Sequence, residues 1–285
     1  MNFVTRVGAR LVTLDRKVGF GTYNRMRIAP VTTVFSYAAI LAAMCFPLDA
    51  YAASEERFIP DCAGTVEVAH ATVSHVTPTG GLILPDGRAL TLEGIRLPLD
   101  PMLATPVRTA ILGLVQSGTV SFTAGPPLHD RYGRLRVQGF GREWLQVALL
   151  ERGLARVAIS PDRSECAPDL YEAEARGRAR RAGLWALPAF RIRTPQDSAK
   201  GGFQIVEGTV SHIGRADGRT FLDFGGDGRW SFSALIAPGD RRAFRDFDLD
   251  GLAGRRVRVR GVVQDYRGRP EIALSNPFQI ELLDN

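Results

Sequence analysis

Apolar and polar residues alternate along the chain between residues 66 and 95, which is the pattern of half-buried strands. The Asp86-Gly87 pair inside this region is a strong turn signal and helps to divide it into three predicted strands. From 101 to 116 the apolar residues recur at helical spacing instead. The next predicted elements are strands at 120–123 and 135–140 and helices at 144–152 and 169–181.

A second strand-rich region follows residue 202. It contains five strand-like runs, at 205–213, 220–224, 230–236, 255–264 and 271–274, with a polar and partly helical insert at 240–250. Five strands in each region, with a helix after the third strand of the first one, are typical of the oligonucleotide-binding (OB) layout. We therefore predict an α+β chain of two small OB-type β-barrels, the first carrying three helices.

The stretch from 186 to 202 separates the two regions. It lacks periodicity and carries two prolines and two glycines, which is typical of a linker. The predicted domains are thus 63–185 and 203–285, joined by a linker at 186–202.

The N-terminal 52 residues have the order of a secretory signal. Arg25 and Arg27 precede an apolar run, and Ala50-Tyr51-Ala52 supplies a small-x-small cleavage site. We predict a signal peptide over 1–52, with an alternative translation start at Met26, and a periplasmic or secreted protein. An uncleaved membrane anchor is the alternative.

Most of the net positive charge lies in that N-terminal segment. The whole chain carries +6, but the first 52 residues hold six basic and two acidic side chains, which leaves 30 basic and 28 acidic ones. The remainder is nearly neutral, so charge alone does not indicate a polyanion partner.

Two cysteines, Cys62 and Cys166, remain after cleavage. In an oxidising compartment such a pair predicts a disulfide bond, with two free thiols as the alternative. No Cys-x-x-Cys occurs, so neither a redox motif nor a zinc knuckle is indicated.

Three motifs in the first region resemble the staphylococcal-nuclease-like (thermonuclease) family, over about residues 63 to 185. They are Asp-Arg-Tyr-Gly-Arg at 130–134, Leu-Leu-Glu-Arg-Gly-Leu-Ala at 149–155, and the segment from Glu172 to Trp185. The resemblance implies a calcium-dependent phosphodiesterase, in which carboxylates hold the cation, a Glu activates water and two Arg contact the phosphate.

The positions that this family uses for chemistry are mostly replaced here. Pro78 and Gly80 stand at the two Asp of the first metal segment, Thr91 at one phosphate Arg, Arg96 at the second metal Asp and Leu99 at the water-activating Glu. Only the second phosphate Arg is retained, as Arg134, and it could instead pair with Asp130. We therefore expect a catalytically inactive homologue with no cofactor.

The alternative is an active phosphodiesterase that uses displaced carboxylates. Glu93 is the best candidate, because it lies two residues from Thr91 and so shares its strand face. In that case Glu93 and Arg134 would form the site, and calcium would be its cofactor.

The second region resembles OB modules that bind nucleic acid. Arg256, Arg258 and Arg260 alternate along one strand and so share a face, and together with Arg134 and Tyr132 they are the candidate nucleic-acid contacts. The region's 12 basic and 12 acidic residues cancel, however. The expected partner is a nucleic acid or a periplasmic protein, without a small-molecule cofactor, and a membrane only if the signal segment stays attached.

Overall fold

The computed structural model describes residues 60–63, 66–116, 118–198, 201–225, 232–266 and 268–283. These residues belong to one compact unit, Ser54–Asn285. The predicted signal segment lies outside the described residues. Within the described ranges, no helix is both long enough and apolar enough to span a bilayer.

The first half contains eight strands. They are β1 (Val66–Ala71), β2 (His75–Val76), β3 (Leu82–Ile83), β4 (Ala89–Leu92), β5 (Ile95–Arg96), β6 (Val120–Ala124), β7 (Leu135–Phe140) and β8 (Arg156–Val157). Six of them form a sheet in the order β1, β6, β7, β4, β3, β2, in which β4 and β7 are parallel. The other two, β5 and β8, pair antiparallel with each other.

Three helices accompany this sheet: α1 (Pro101–Val115), α2 (Leu145–Glu151) and α3 (Ala167–Ala179). Helix α1 begins where the sequence favours it, because the Asp100 side chain accepts a hydrogen bond from the Met102 amide at 2.8 Å and Pro101 occupies the first turn. Its buried face includes Val107 and Ile111, which join the sheet residues in one core.

Glycines allow the backbones of helices α2 and α3, and of the turns that follow them, to approach each other closely. A Cβ on Gly177 would overlap the carbonyl oxygen of Leu150, and one on Gly153 would overlap the carbonyl oxygen of Ala182. Gly153 also has a φ of +64°, which side chains other than glycine rarely adopt. Gly153, which directly follows the C-cap of α2, therefore combines the end of that helix with close packing of backbone against backbone.

The second half forms a seven-stranded sheet. Its strands are β9 (Phe203–Thr209), β10 (His212–Ala216), β11 (Arg219–Asp223), β12 (Ser233–Ile236), β13 (Arg256–Tyr266), β14 (Arg269–Leu274) and β15 (Ile280–Leu282). The order is β10, β11, β12, β14, β13, β15, with β9 also paired to β13. Short 3-10 helices at Arg241–Phe244 and Asp250–Leu252 occupy the predicted polar insert.

The predicted α+β class is confirmed, with three helices in the first half. Closed barrels are not observed in the described part of the chain: the first sheet's path ends at β1 and β2, which are consecutive strands without a ladder between them. The two-residue strands β5 and β8, as well as β15, were not predicted, because such short segments carry no measurable periodicity.

The predicted disulfide is present and joins Cys62 to Cys166. The predicted linker contains the 3-10 helix Pro188–Phe190, and Arg193 makes an isolated bridge to Val206 of β9. The domain boundaries proposed from composition remain a prediction.

Candidate functional site

The first metal segment has no carboxylate, and a side chain at residue 80 would require Leu97 to move. Gly80 is buried with a φ of +81°, and a Cβ built on it would overlap Cδ1 of Leu97. Leu97 thus occupies the space that a side chain at residue 80 would need. Pro78, at the other Asp position of that segment, is exposed on the same turn.

The second metal segment also lacks acidic groups. Arg96 is half-buried on β5 and lies directly opposite Arg156 of β8. Leu99, which stands at the water-activating position, is 74% exposed. Nowhere in the described ranges do three or more His, Cys, Asp or Glu side chains gather closely enough to hold a metal ion.

A cleft of about 580 Å³ does exist beside the retained Arg134. Its walls come from the end of β4, the turn before β7 and the loop after β8. The residues that matter for its chemistry are Thr91, Glu93, Asp130, Tyr132, Arg134, Arg136, Ser160 and Asp162.

Glu93 is held in this cleft by an ion pair and a hydrogen bond. Arg136 donates Nε to Glu93 Oε2 at 2.8 Å, and Ser160 donates Oγ to Glu93 Oε1 at 2.6 Å. Glu93 is 6% exposed, so both its carboxylate oxygens are engaged inside the protein. A carboxylate in this state is poorly placed to ligate a cation or activate water.

Arg136 extends this network to the surface. Its two terminal nitrogens each donate to the Asp162 carboxylate at 2.8 Å. Hydrogen bonds to Asp162 and then to Glu93 raise the pKa of Arg136 above its ordinary value. The bonds from Arg136 also hold the pKa of Asp162 below its usual range.

Arg134 is paired with Asp130, as one of the two sequence interpretations proposed. Arg134 Nε donates to Asp130 Oδ2 at 2.8 Å, and the amides of Tyr132 and Arg134 donate to Asp130 Oδ1. Desolvation acts to raise the pKa of Asp130, but these hydrogen bonds outweigh it and lower that pKa. Tyr132 is exposed, and the guanidiniums of Arg131 and Arg134 lie 4.9 and 5.3 Å from its ring centroid.

Sequence reasoning missed Arg136, Ser160 and Asp162. A signal for Arg136 was present, because it lies two residues after Arg134, inside the predicted strand 135–140 that follows the turn carrying Arg134. No sequence signal indicated Ser160 and Asp162, since they lie on an irregular loop more than 60 residues after Glu93.

The three alternating arginines of β13 are each paired with carboxylates. Arg256 contacts Glu207, and Arg258 bridges Glu207 at 2.6 Å and Glu281 at 2.8 Å. Arg260 is 1% exposed and contacts Glu281 as well as a carboxylate of α3. Full burial leaves Arg260 out of reach of a polyanion, which corrects its predicted role as a nucleic-acid contact.

In a comparison with protein families, residues 113–187 match the family described as Staphylococcal nuclease homologue. The matched segment includes Arg134, Gly153 and Gly183, but it begins after the positions between 78 and 99 that are replaced here. A comparison with curated proteins finds no match.

Proposed function

We propose that this chain, which contains a staphylococcal-nuclease-like domain, does not hydrolyse phosphodiesters and instead works as an exported binding protein. The proposal rests on the first metal segment, where Pro78 and Gly80 replace both carboxylates and Leu97 lies where the Cβ of a side chain at residue 80 would be. A calcium ion needs several oxygen ligands, mostly carboxylates, and this segment offers no carboxylate.

The charges around the former metal position support the same proposal. Arg96 stands where a metal ligand is expected, and Arg156 lies across from it. Two guanidiniums repel a divalent cation rather than bind it. Glu93, the best substitute carboxylate, is already paired with Arg136 and hydrogen-bonded to Ser160.

Export is supported by two independent features. The N-terminal sequence has the order of a secretory signal, and Cys62 and Cys166 form a disulfide, which persists in an oxidising compartment. We therefore place the protein in the periplasm or outside the cell. Its partner would be a nucleic acid or another exported protein.

The test is hydrolysis of single-stranded DNA and RNA by the full-length protein with calcium or with a chelator. We expect no difference between the two conditions. Calcium-dependent turnover that is lost in both Arg134→Ala and Glu93→Gln, but kept in Arg152→Ala, would overturn the proposal and establish the displaced-carboxylate alternative. Arg152 is a suitable control, because it is exposed and pairs with Glu143 outside the cleft.

A further inference from the structure

Arg96 and Arg156 present two like charges directly opposite each other. They are cross-strand neighbours in the β5–β8 pair. Like charges in this relation destabilise a sheet unless something neutralises them. Among the residues that the structure describes, no carboxylate forms an ion pair with either guanidinium, and Glu174, whose charge acts on Arg156, is itself paired with Arg260 and Arg178.

Aromatic rings hold the two guanidiniums in place. The Arg156 guanidinium lies 4.8 Å from the ring centroid of Phe203 and 5.0 Å from that of Phe190, and the Arg96 guanidinium lies 5.5 Å from Phe203. Contacts of this kind use the flat face of a guanidinium. They leave its N–H edge, which is the part that binds oxyanions in a fork geometry, free to take a ligand.

These groups line a second cleft, which we call the arginine cleft. It has a volume of about 300 Å³, and Arg193 contributes a third guanidinium to its wall. Arg193 donates one hydrogen bond to the Asp197 carbonyl oxygen at 3.2 Å. None of the described residues that line the arginine cleft is acidic.

Burial raises the free energy of the charged form of Arg156. Desolvation lowers the pKa of Arg156 to about 10, despite an opposing contribution from Glu174, and the charge of Arg96 adds to the lowering. An anion bound between the arginines would remove this cost, because an opposite charge favours the protonated guanidinium.

We propose that the arginine cleft binds a phosphate ester group through Arg96, Arg156 and Arg193. Three guanidiniums without a carboxylate fit a phosphate, which has several anionic oxygens, better than they fit a single carboxylate. The volume exceeds that of a phosphate group and accommodates part of the molecule that carries it. The site deepens the proposed binding function by supplying it with a ligand class.

The experiment measures binding by fluorescence anisotropy with a labelled single-stranded oligothymidine, with and without a 5′-phosphate, and with inorganic phosphate as competitor. We expect Arg96→Gln and Arg156→Gln of the full-length protein to weaken binding by about tenfold or more, since each removes charge-assisted hydrogen bonds. Arg152→Gln, the matched exposed arginine, should leave the affinity within about twofold of the wild type.

The two oligonucleotides identify the source of the phosphate. A preference for the 5′-phosphorylated strand, with competition by inorganic phosphate, assigns the cleft to a terminal phosphate. Equal affinity for both strands, lost in the two variants, assigns it to the phosphodiester backbone.

Thermal unfolding separates binding from support of the fold. Removing either charge relieves repulsion, so both variants should melt no lower than the wild type in the absence of ligand. Arg193→Gln, which lies outside the β5–β8 pair, serves as a third variant if the others unfold. If all variants bind with unchanged affinity, the arginine cleft is not the phosphate site, although the proposed binding role still stands. If the wild type binds no phosphate probe, the arginine cleft proposal is also overturned.

Discussion

Glu174 of α3 and Arg260 of β13 form a buried ion pair that joins the two halves of the chain. Arg260 Nη1 donates to Glu174 Oε2 at 2.9 Å, and both side chains are almost fully enclosed. Glu174 Oε1 also accepts the Val157 amide at 2.7 Å. The guanidinium lies 4.2 Å from the ring centroid of Tyr171, which completes the enclosure.

Removal of Arg260 should strongly destabilise the protein. Arg260→Met leaves the buried Glu174 carboxylate with only the longer ion-pair contact from Arg178, at 3.6 Å, so we expect the free energy of unfolding to fall by about 3 kcal/mol. Urea denaturation of the full-length chain measures this. Arg256→Met is the matched control on the same strand, and because Arg256 is exposed its loss should cost no more than about 1 kcal/mol. Equal effects of the two changes would contradict the role assigned to the pair.

The disulfide should make a large contribution to stability. It closes a loop across 104 positions of sequence, and chain-entropy arguments give about 2–5 kcal/mol for losing a native bridge. We expect Cys62→Ala with Cys166→Ala to lower the unfolding free energy in this range, and reductant to lower the wild type similarly. Alkylation of the unreduced, denatured protein should leave both residues unlabelled; labelled Cys62 and Cys166 would disprove the bridge.

Restoring an acidic residue at position 80 should destabilise the fold and fail to create a calcium site. Gly80→Asp forces a side chain into Leu97 at a positive φ, so we expect a loss of about 1–3 kcal/mol and no stabilisation by calcium. Gly87→Asp is the control, because Gly87 also has a positive φ of 86° but open space around it. A Gly80→Asp protein that is as stable as Gly87→Asp, or that melts higher with calcium, would refute the packing argument.

Acid should weaken the network around Arg136. The pKa of Asp162 is held below its ordinary value of 3.8 by Arg136, so the unfolded state takes up the proton first as the pH falls. The contribution of Asp162 to stability is complete above about pH 4 and is lost as the pH falls through the lower folded pKa. We expect Asp162→Asn to flatten the decline in unfolding free energy between pH 6 and pH 2.5.

The control for this pH series is Asp246→Asn, which removes one exposed carboxylate elsewhere in the described part of the chain. Its stability profile should run parallel to that of the wild type. An Asp162→Asn profile that also runs parallel would contradict the assigned role of the Arg136 bond.

The parts of the fold that the sequence predicted are those with local signals. Helix α1 has its capping Asp100, its Pro101 and its apolar period within one segment, and it was found within a residue of the expected bounds. The replacement of the family's acidic residues at positions 80, 96 and 99 was also visible in the sequence. That Leu97 lies against Gly80 depends on a contact between the turn after β2 and the segment after β5, which no local pattern reports.

Charge pairing was the harder part to predict. Alternation correctly placed Arg256, Arg258 and Arg260 on one face of a strand, and a solvent-exposed face was inferred. The inference was wrong for Arg260, because α3 covers that end of the face and its Glu174 lies 86 residues earlier in the chain. Periodicity assigns a residue to a face, but it does not say what covers the face.

The Glu174–Arg260 pair has a consequence for how such a chain can evolve. Recombination that exchanged either half for an unrelated module would separate Glu174 from Arg260 and leave each buried group with only its partner from its own half, Arg178 at 3.6 Å or Glu281 at 3.2 Å, at a cost in stability. The two halves are therefore expected to be inherited together.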